Sequence, residues 1–172
     1  YPKTLGGILP MIEIYTDGSC IGNGKENAVG GAAFVVVKNE EKIYQESYGS
    51  KNTTNQRMEL LAAATACEYV KREKVTECVA VYSDSAYLIN CYKQEWWINW
   101  QNNGWKNSQK QPVANKDLWE RIIPFFSDSN FIFKKVKGHS KNNTKAAYWN
   151  NMVDNLAVAA SNLQKREENY ER

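Results

Sequence analysis

Asp17, Glu59, Asp84 and Asp154 are four acids that stand where solvated surface does not readily explain them. Asp17 and Asp84 each end a short apolar run that reads as a strand, residues 12–16 and 79–83. A carboxylate there is held at the rim of a sheet by the backbone behind it, which is where α/β sheets gather ligands. Glu59 falls in the first turn of a helical pattern, and Asp154 lies close to the apolar face of another. Each acid alone has a plainer meaning: Asp17-Gly18 as a turn, Glu59 as a complement to a helix dipole, Asp84 as a helix cap. The set is harder to dismiss. Four carboxylates without thiol partners suit hard, oxygen-seeking cations such as Mg²⁺ or Mn²⁺. Close acids repel, so a shared cation is what would keep all four ionised. Two such cations serve in-line attack on a phosphodiester, whereas a glycosidase needs only two carboxylates, one kept protonated.

The elements that must carry these acids follow from periodicity. Residues 12–17 alternate as a strand and break at Gly18, and residues 18–30 read as a turn-rich loop. The glycines of that loop superficially resemble a phosphate cradle. No Gly-Lys-Ser/Thr is present, however, and residues 32–37 are β-branched and strand-like, so the nucleotide-loop reading fails. A third strand at 43–48 follows a hairpin-length gap, which predicts an antiparallel meander. Residues 57–72 form a helix with Leu60, Leu61, Ala64, Cys67 and Val70 on one side. A strand at 79–84 runs into a helix that begins at 85–87, and a further helix covers 115–127.

Between them, residues 95–119 hold Trp96, Trp97, Trp100, Trp105 and Trp119, with Lys93, Lys106, Lys110 and Lys116 interleaved. Part of that set must be a satellite core, and the remainder suits a surface that meets nucleic-acid backbones. The last strand, 131–136, enters the most basic part of the chain, with Lys134, Lys135, Lys137, Lys141 and Lys145 around His139. A lone histidine is usually structural, but a polar, lysine-rich loop offers it no core. A closing helix at 148–164 buries Met152, Val153, Leu156, Ala157 and Ala160, and the charged tail from 165 should fray.

A chain of 172 residues, 42% hydrophobic and 24% charged, is one globular domain large enough to need no disulfide staples. No apolar run is long enough to cross a bilayer, and no leader pattern opens the chain. Four scattered cysteines with one histidine argue against zinc and for a reducing, cytoplasmic compartment. A net charge of +3 is too small to identify a nucleic-acid binder, so such evidence must be local. Residues 1–10 show no periodicity and read as an N-terminal extension ahead of a natural start at Met11.

Taken in order, the stretches Tyr-Thr-Asp-Gly-Ser-Cys (15–20), Thr-Thr-Asn-Gln-Arg-Met-Glu-Leu (53–60) and Tyr-Ser-Asp-Ser (82–85) match a known series. So do the tryptophan pattern of 96–105, Asn115-x-Asp117-Leu118-Trp119, Val-Lys-Gly-His-Ser (136–140) and Asn150-x-x-Val-Asp-x-Leu-Ala. Each is weak alone, but in this order over residues 11–160 the chain resembles ribonuclease HI, the type 1 ribonuclease H family. The resemblance implies an α/β, ribonuclease H-like fold. Its five-stranded mixed sheet has three antiparallel strands then two parallel, flanked by helices, with a Trp-rich protrusion. The domain would cover residues 11–164, followed by a charged tail at 165–172. The implied activity is endonucleolytic hydrolysis of the RNA strand of RNA/DNA hybrids, leaving 5′-phosphate and 3′-hydroxyl ends. It would use two Mg²⁺ ions, for which Mn²⁺ can substitute.

By the same resemblance Asp17 bridges both ions, Asp154 completes the water-activating site, and Glu59 and Asp84 hold the second ion. His139 would aid product release or proton movement. Asn23, Asn55 and Gln56 match the family's minor-groove readers, Thr54 and Asn115 its DNA-phosphate pocket, and Trp96 and Ser108 its DNA-strand groove. A hybrid is the implied partner, with no membrane, and a free-standing monomer is expected because no polymerase or accessory binding domain accompanies the motifs.

Two departures stand out. Residues 101–103 are Gln-Asn-Asn where bacterial members are usually basic, and the loop between His139 and Asp154 is longer, with Tyr148-Trp149 placed before the helix. The rivals are a catalytically inactive hybrid-binding module, a DNA-directed nuclease of the same fold, and a plain α/β interaction domain. The first predicts a broken carboxylate set, the second leaves Asn55-Gln56, Asn115 and the tryptophans unexplained, and the third leaves the acids a coincidence.

Overall fold

The alternating run that opens at Ile12 does not stop at Gly18 but continues as β1, Ile12–Ile21, in a computed structural model that describes residues 12–137 and 144–171. β2 (Val29–Lys38) and β3 (Glu41–Lys51) follow as an antiparallel meander, with a bulge where β3 passes Val36/Val37. α1 (Asn55–Arg72) then crosses to β4 (Val79–Ser83), which lies parallel to β1. α2 (Ala86–Gln94), α3 (Trp96–Asn102) and α4 (Lys116–Phe126) precede β5 (Phe131–Lys135), parallel to β4, and α5 (Lys145–Tyr170) closes the chain. The sheet order is β3-β2-β1-β4-β5, which is the mixed five-stranded architecture expected, with the tryptophan-rich segment beside it.

Two layers cover the sheet. Ile12, Ile14, Phe34, Val36, Val79 and Val81 meet α1 and the aromatic α2–α4 segment. On the opposite face Tyr15, Ala33, Val35 and Val37 meet Trp149, Val153 and Ala157 of α5. A strand covered on both faces loses its polar alternation, which is why β2 reads Val-Gly-Gly-Ala-Ala-Phe-Val-Val-Val and is buried along that whole run.

Glycines set how close the helices come. A Cβ on Gly18 would lie 2.4 Å from the Glu59 backbone nitrogen, and one on Gly31 would lie 2.2 Å from the Ala157 carbonyl oxygen. Gly18 therefore admits α1, not a turn, and Gly31 admits α5. The same contact explains why the strand reading broke off too early: Gly inside a strand marks a close backbone approach as readily as a bend.

Three further boundaries differ from expectation. Thr54 caps α1 by accepting the Arg57 backbone N–H, so Glu59 falls in the second turn, beyond the reach of the dipole explanation. α5 begins at Lys145, capped by Thr144, so Tyr148 and Trp149 belong to the helix, and Trp149 is buried in the core. Residues 165–170 continue α5 rather than fraying. Lys51 at the end of β3 pairs with Glu168 at 3.2 Å and Glu171 at 3.1 Å, and Gln164 packs on Gly49.

Candidate active site

β1 outruns its parallel neighbour. The β1–β4 pairing ends at Tyr15↔Tyr82, and the Thr16 hydroxyl donates to the Tyr82 carbonyl at 2.8 Å. Asp17 therefore projects beside the gap where β4 has turned into the α2 cap. One carboxylate oxygen each from Asp17, Glu59 and Asp84 lies within 4.8 Å of the others, the one candidate metal-holding cluster among the described residues. Asp154 reaches this group from α5, its carboxyl hydrogen-bonded to that of Asp17. The four expected acids thus meet, from the middle of β1, the end of β4 and two helices on opposite faces of the sheet.

The electrostatics are those of a crowded anionic site. Burial, then the repulsion of Asp84 and a hydrogen bond with Asp154, push the Asp17 carboxyl up to about 8. The Gly18 backbone N–H donates to Asp17 Oδ1 at 2.8 Å and opposes this shift. Glu59 is also raised, chiefly by burial and further by Asp84, against a hydrogen bond from the Ser85 side chain. An all-oxygen donor set whose charges cannot comfortably coexist is what a hard divalent cation relieves, and these residues fit Mg²⁺ or Mn²⁺.

Sequence reasoning missed Ser85 as part of this site. Its oxygen accepts the Leu88 backbone N–H as the α2 cap, and the same side chain bonds Glu59. The Ser-Asp-Ser spacing signals the cap, but its bond to α1 depends on packing that no local pattern reveals.

The other candidate residues fall into two patches. Asn23 Oδ1 accepts the backbone N–H of Asn55 at 3.0 Å, which ties the 22–27 turn to the start of α1. Thr54, Asn55 and Gln56 are exposed there. Nearby, Asn115 Oδ1 accepts from Arg57 Nη1 at 3.2 Å, and Arg57 holds Asp117 in a two-pronged ion pair of 3.1 and 2.7 Å. Arg57 is the second residue missed. In the other patch Trp96 and Ser108 line one groove with Asn99, Asn103 and Lys106. The tryptophans divide as expected: Trp97, Trp100 and Trp119 are buried, while Trp96 and Trp105 are half-exposed. His139 lies outside the described residues.

This geometry defines a candidate divalent-cation site where β1 runs past the end of β4 in an α/β domain, flanked by polar and aromatic surfaces. The sequence pattern of the RNase H family matches residues 10–162. A ribonuclease H of Clostridium botulinum is 42% identical over 152 residues, covering 88% of this chain and 96% of that protein. The solution structure of the PFV RNase H domain superposes with a TM-score of 0.74 at 27% identity, covering 90% of this chain and 96% of that one. LC11-RNase H1, solved in complex with RNA/DNA hybrid, shares the fold at a TM-score of 0.63 and 20% identity, covering 88% of this chain and 96% of that one. The chain belongs to the RNase H family and is a ribonuclease H.

Proposed function

We propose that the enzyme hydrolyses the RNA strand of RNA/DNA hybrids and that Asp17, Glu59, Asp84 and Asp154 hold two divalent ions, Mg²⁺ by preference. The convergence of Asp17, Glu59 and Asp84 within 4.8 Å carries this reading. When bound, such ions supply an activated water and stabilise the leaving oxygen of an in-line displacement.

The protein's own part is positioning. Asp17 is fixed by the strand behind it and by the Gly18 N–H, Glu59 by Ser85, and Asp154 by the docking of α5 against β1 and β2. Asn23, Asn55 and Gln56 present amides beside the site, as a reader of 2′-hydroxyls and minor-groove acceptors requires. Thr54 and Asn115 form the contact for a DNA-strand phosphate, and the Trp96–Ser108 groove receives the rest of that strand. Such contacts read backbone shape with little base preference. All four cysteines are free, and three of them are buried, which supports work in a reducing compartment such as the cytoplasm. Among the described residues no helix is long and apolar enough to cross a membrane.

The test is cleavage of end-labelled RNA/DNA hybrid beside matched RNA and DNA duplexes, with Mg²⁺ or EDTA. Cutting confined to the RNA strand of the hybrid, and abolished by EDTA, is the expected result. Binding without cutting would favour an inactive module, and cutting of the DNA duplex would overturn the hybrid assignment.

A further inference from the structure

Arg57 and Asp117 belong to no part of the mechanism above, yet Arg57 bonds to its phosphate contact and Asp117 bonds to Arg57. A guanidinium has only donors, so whatever Arg57 Nη1 touches at 3.2 Å on Asn115 must be the amide oxygen. The ambiguity between oxygen and nitrogen that usually attends an asparagine is removed by this partner. Asn115 Nδ2 is thereby left as a donor with its acceptor turned away. The residue sits at φ 63°, ψ 28°, a left-handed conformation that asparagine tolerates, and its backbone carbonyl accepts from Leu118 and Trp119 at the start of α4.

The same polarity recurs next door. Thr54 Oγ1 accepts the Arg57 backbone N–H at 3.1 Å, which leaves its hydroxyl proton to donate. Asn23 Oδ1 accepts the Asn55 backbone N–H, which likewise leaves Nδ2 to donate. Three side chains therefore have oxygens committed inward and hydrogens available outward. Asp117 neutralises Arg57 through two short contacts, so the guanidinium does not itself serve as the phosphate's counter-charge.

We infer that Arg57, clamped by Asp117, is a positioning residue that captures Asn115 Oδ1 and so orients the amide to donate to a DNA-strand phosphate oxygen. The inference rests on the assignment of Thr54 and Asn115 as the phosphate contact. Without Arg57 the amide is free to rotate and to offer its oxygen, which repels the same phosphate. The pocket then selects by hydrogen-bond polarity, and its strength depends on a bond one residue removed from the ligand.

The experiment is a double-mutant cycle between protein and substrate. Hybrids carrying one uncharged methylphosphonate, moved stepwise along the DNA strand, are bound to the cleavage-blocked Asp84→Asn protein with and without Arg57→Ala. One position should cost the Asp84→Asn protein about tenfold in affinity, the scale of a charge-assisted hydrogen bond. That cost should vanish once Arg57→Ala is added. In steady-state cleavage Arg57→Ala should raise KM more than it lowers kcat, and Arg57→Lys, still a donor, should recover part of the loss. Thermal melting checks that the variants fold. An undiminished methylphosphonate cost once Arg57→Ala is added would overturn the positioning role while leaving the phosphate contact intact. No sensitive position in the Asp84→Asn protein would instead remove the phosphate assignment, and the inference with it.

Discussion

The carboxyl of Asp17 is buried against two other acids, so its ionisation opposes folding until a cation enters. Its folded pKa of about 8 lies above the ordinary carboxyl value of 3.8, so between these limits the native state binds more protons than the unfolded chain. Stability of the metal-free enzyme should therefore fall as pH rises from about 4 to about 8. Asp17→Asn should abolish this loss and stabilise the metal-free protein at pH 8 by at least about 1 kcal/mol, the equivalent of one pKa unit. Urea melts at pH 5 and pH 8, with EDTA and with Mg²⁺, check both the sign and its reversal by metal. A variant that melts no later than wild type at pH 8 would refute it. Asp84→Asn and Glu59→Gln should each lower Mg²⁺-dependent cleavage by about 10³-fold or more, on the scale of removing a group that organises transition-state charge. Retained cleavage would displace those residues from the centre. The acids were legible in the sequence because strand and helix patterns constrain where a carboxylate can go, although Asp17 lies within β1 and not at its end. Ser85 and Arg57 were not, because their partners Glu59 and Asn115 lie on other elements and no local spacing encodes such a meeting.

Elements converge here because small residues let them. Gly18 faces the α1 backbone and Gly31 faces the α5 backbone, and in both places a methyl group would overlap main-chain atoms that cannot step aside. Gly18→Ala should push α1 away and carry Glu59 out of reach of Asp17. A loss of about 1–3 kcal/mol or more is expected from overpacking. Raised Mg²⁺ demand in cleavage assays should accompany the lower melting temperature. A variant with native metal affinity would mean that Glu59 is held independently of that contact. The sheet and its helices were readable from period-two and helical patterns. The extents of β1 and α5 were not, and the reasons differ. A strand glycine is locally indistinguishable from a turn glycine until the approaching helix is known. The end of α5 depends on ion pairs between Lys51 and two glutamates distant in sequence.

For the whole molecule, the small net charge of +3 and the neutral amides of the protrusion point the same way. Asn99, Asn102 and Asn103 line the groove with Trp96 and Trp100, where Lys106 is the one cationic side chain among the described residues. Fewer phosphates are neutralised, so log affinity for hybrid should fall gently with log salt. Asn102→Lys with Asn103→Lys should steepen the slope by about 0.7–0.9 for each new phosphate contact, measured by titration between 50 and 200 mM salt. An unchanged slope would place the protrusion away from the backbone. The order of the elements has a different kind of consequence. Asp17, Glu59 and Asp84 come from the first four strands and their helices, but Asp154 rides on α5, which docks across strands already paired. A nascent chain leaving the ribosome can lay down most of its sheet with the acid cluster still missing a member. With Asp154 in its proposed role, cleaving power should be withheld until α5 has emerged and packed, and the return of activity during refolding should lag behind the return of β-structure.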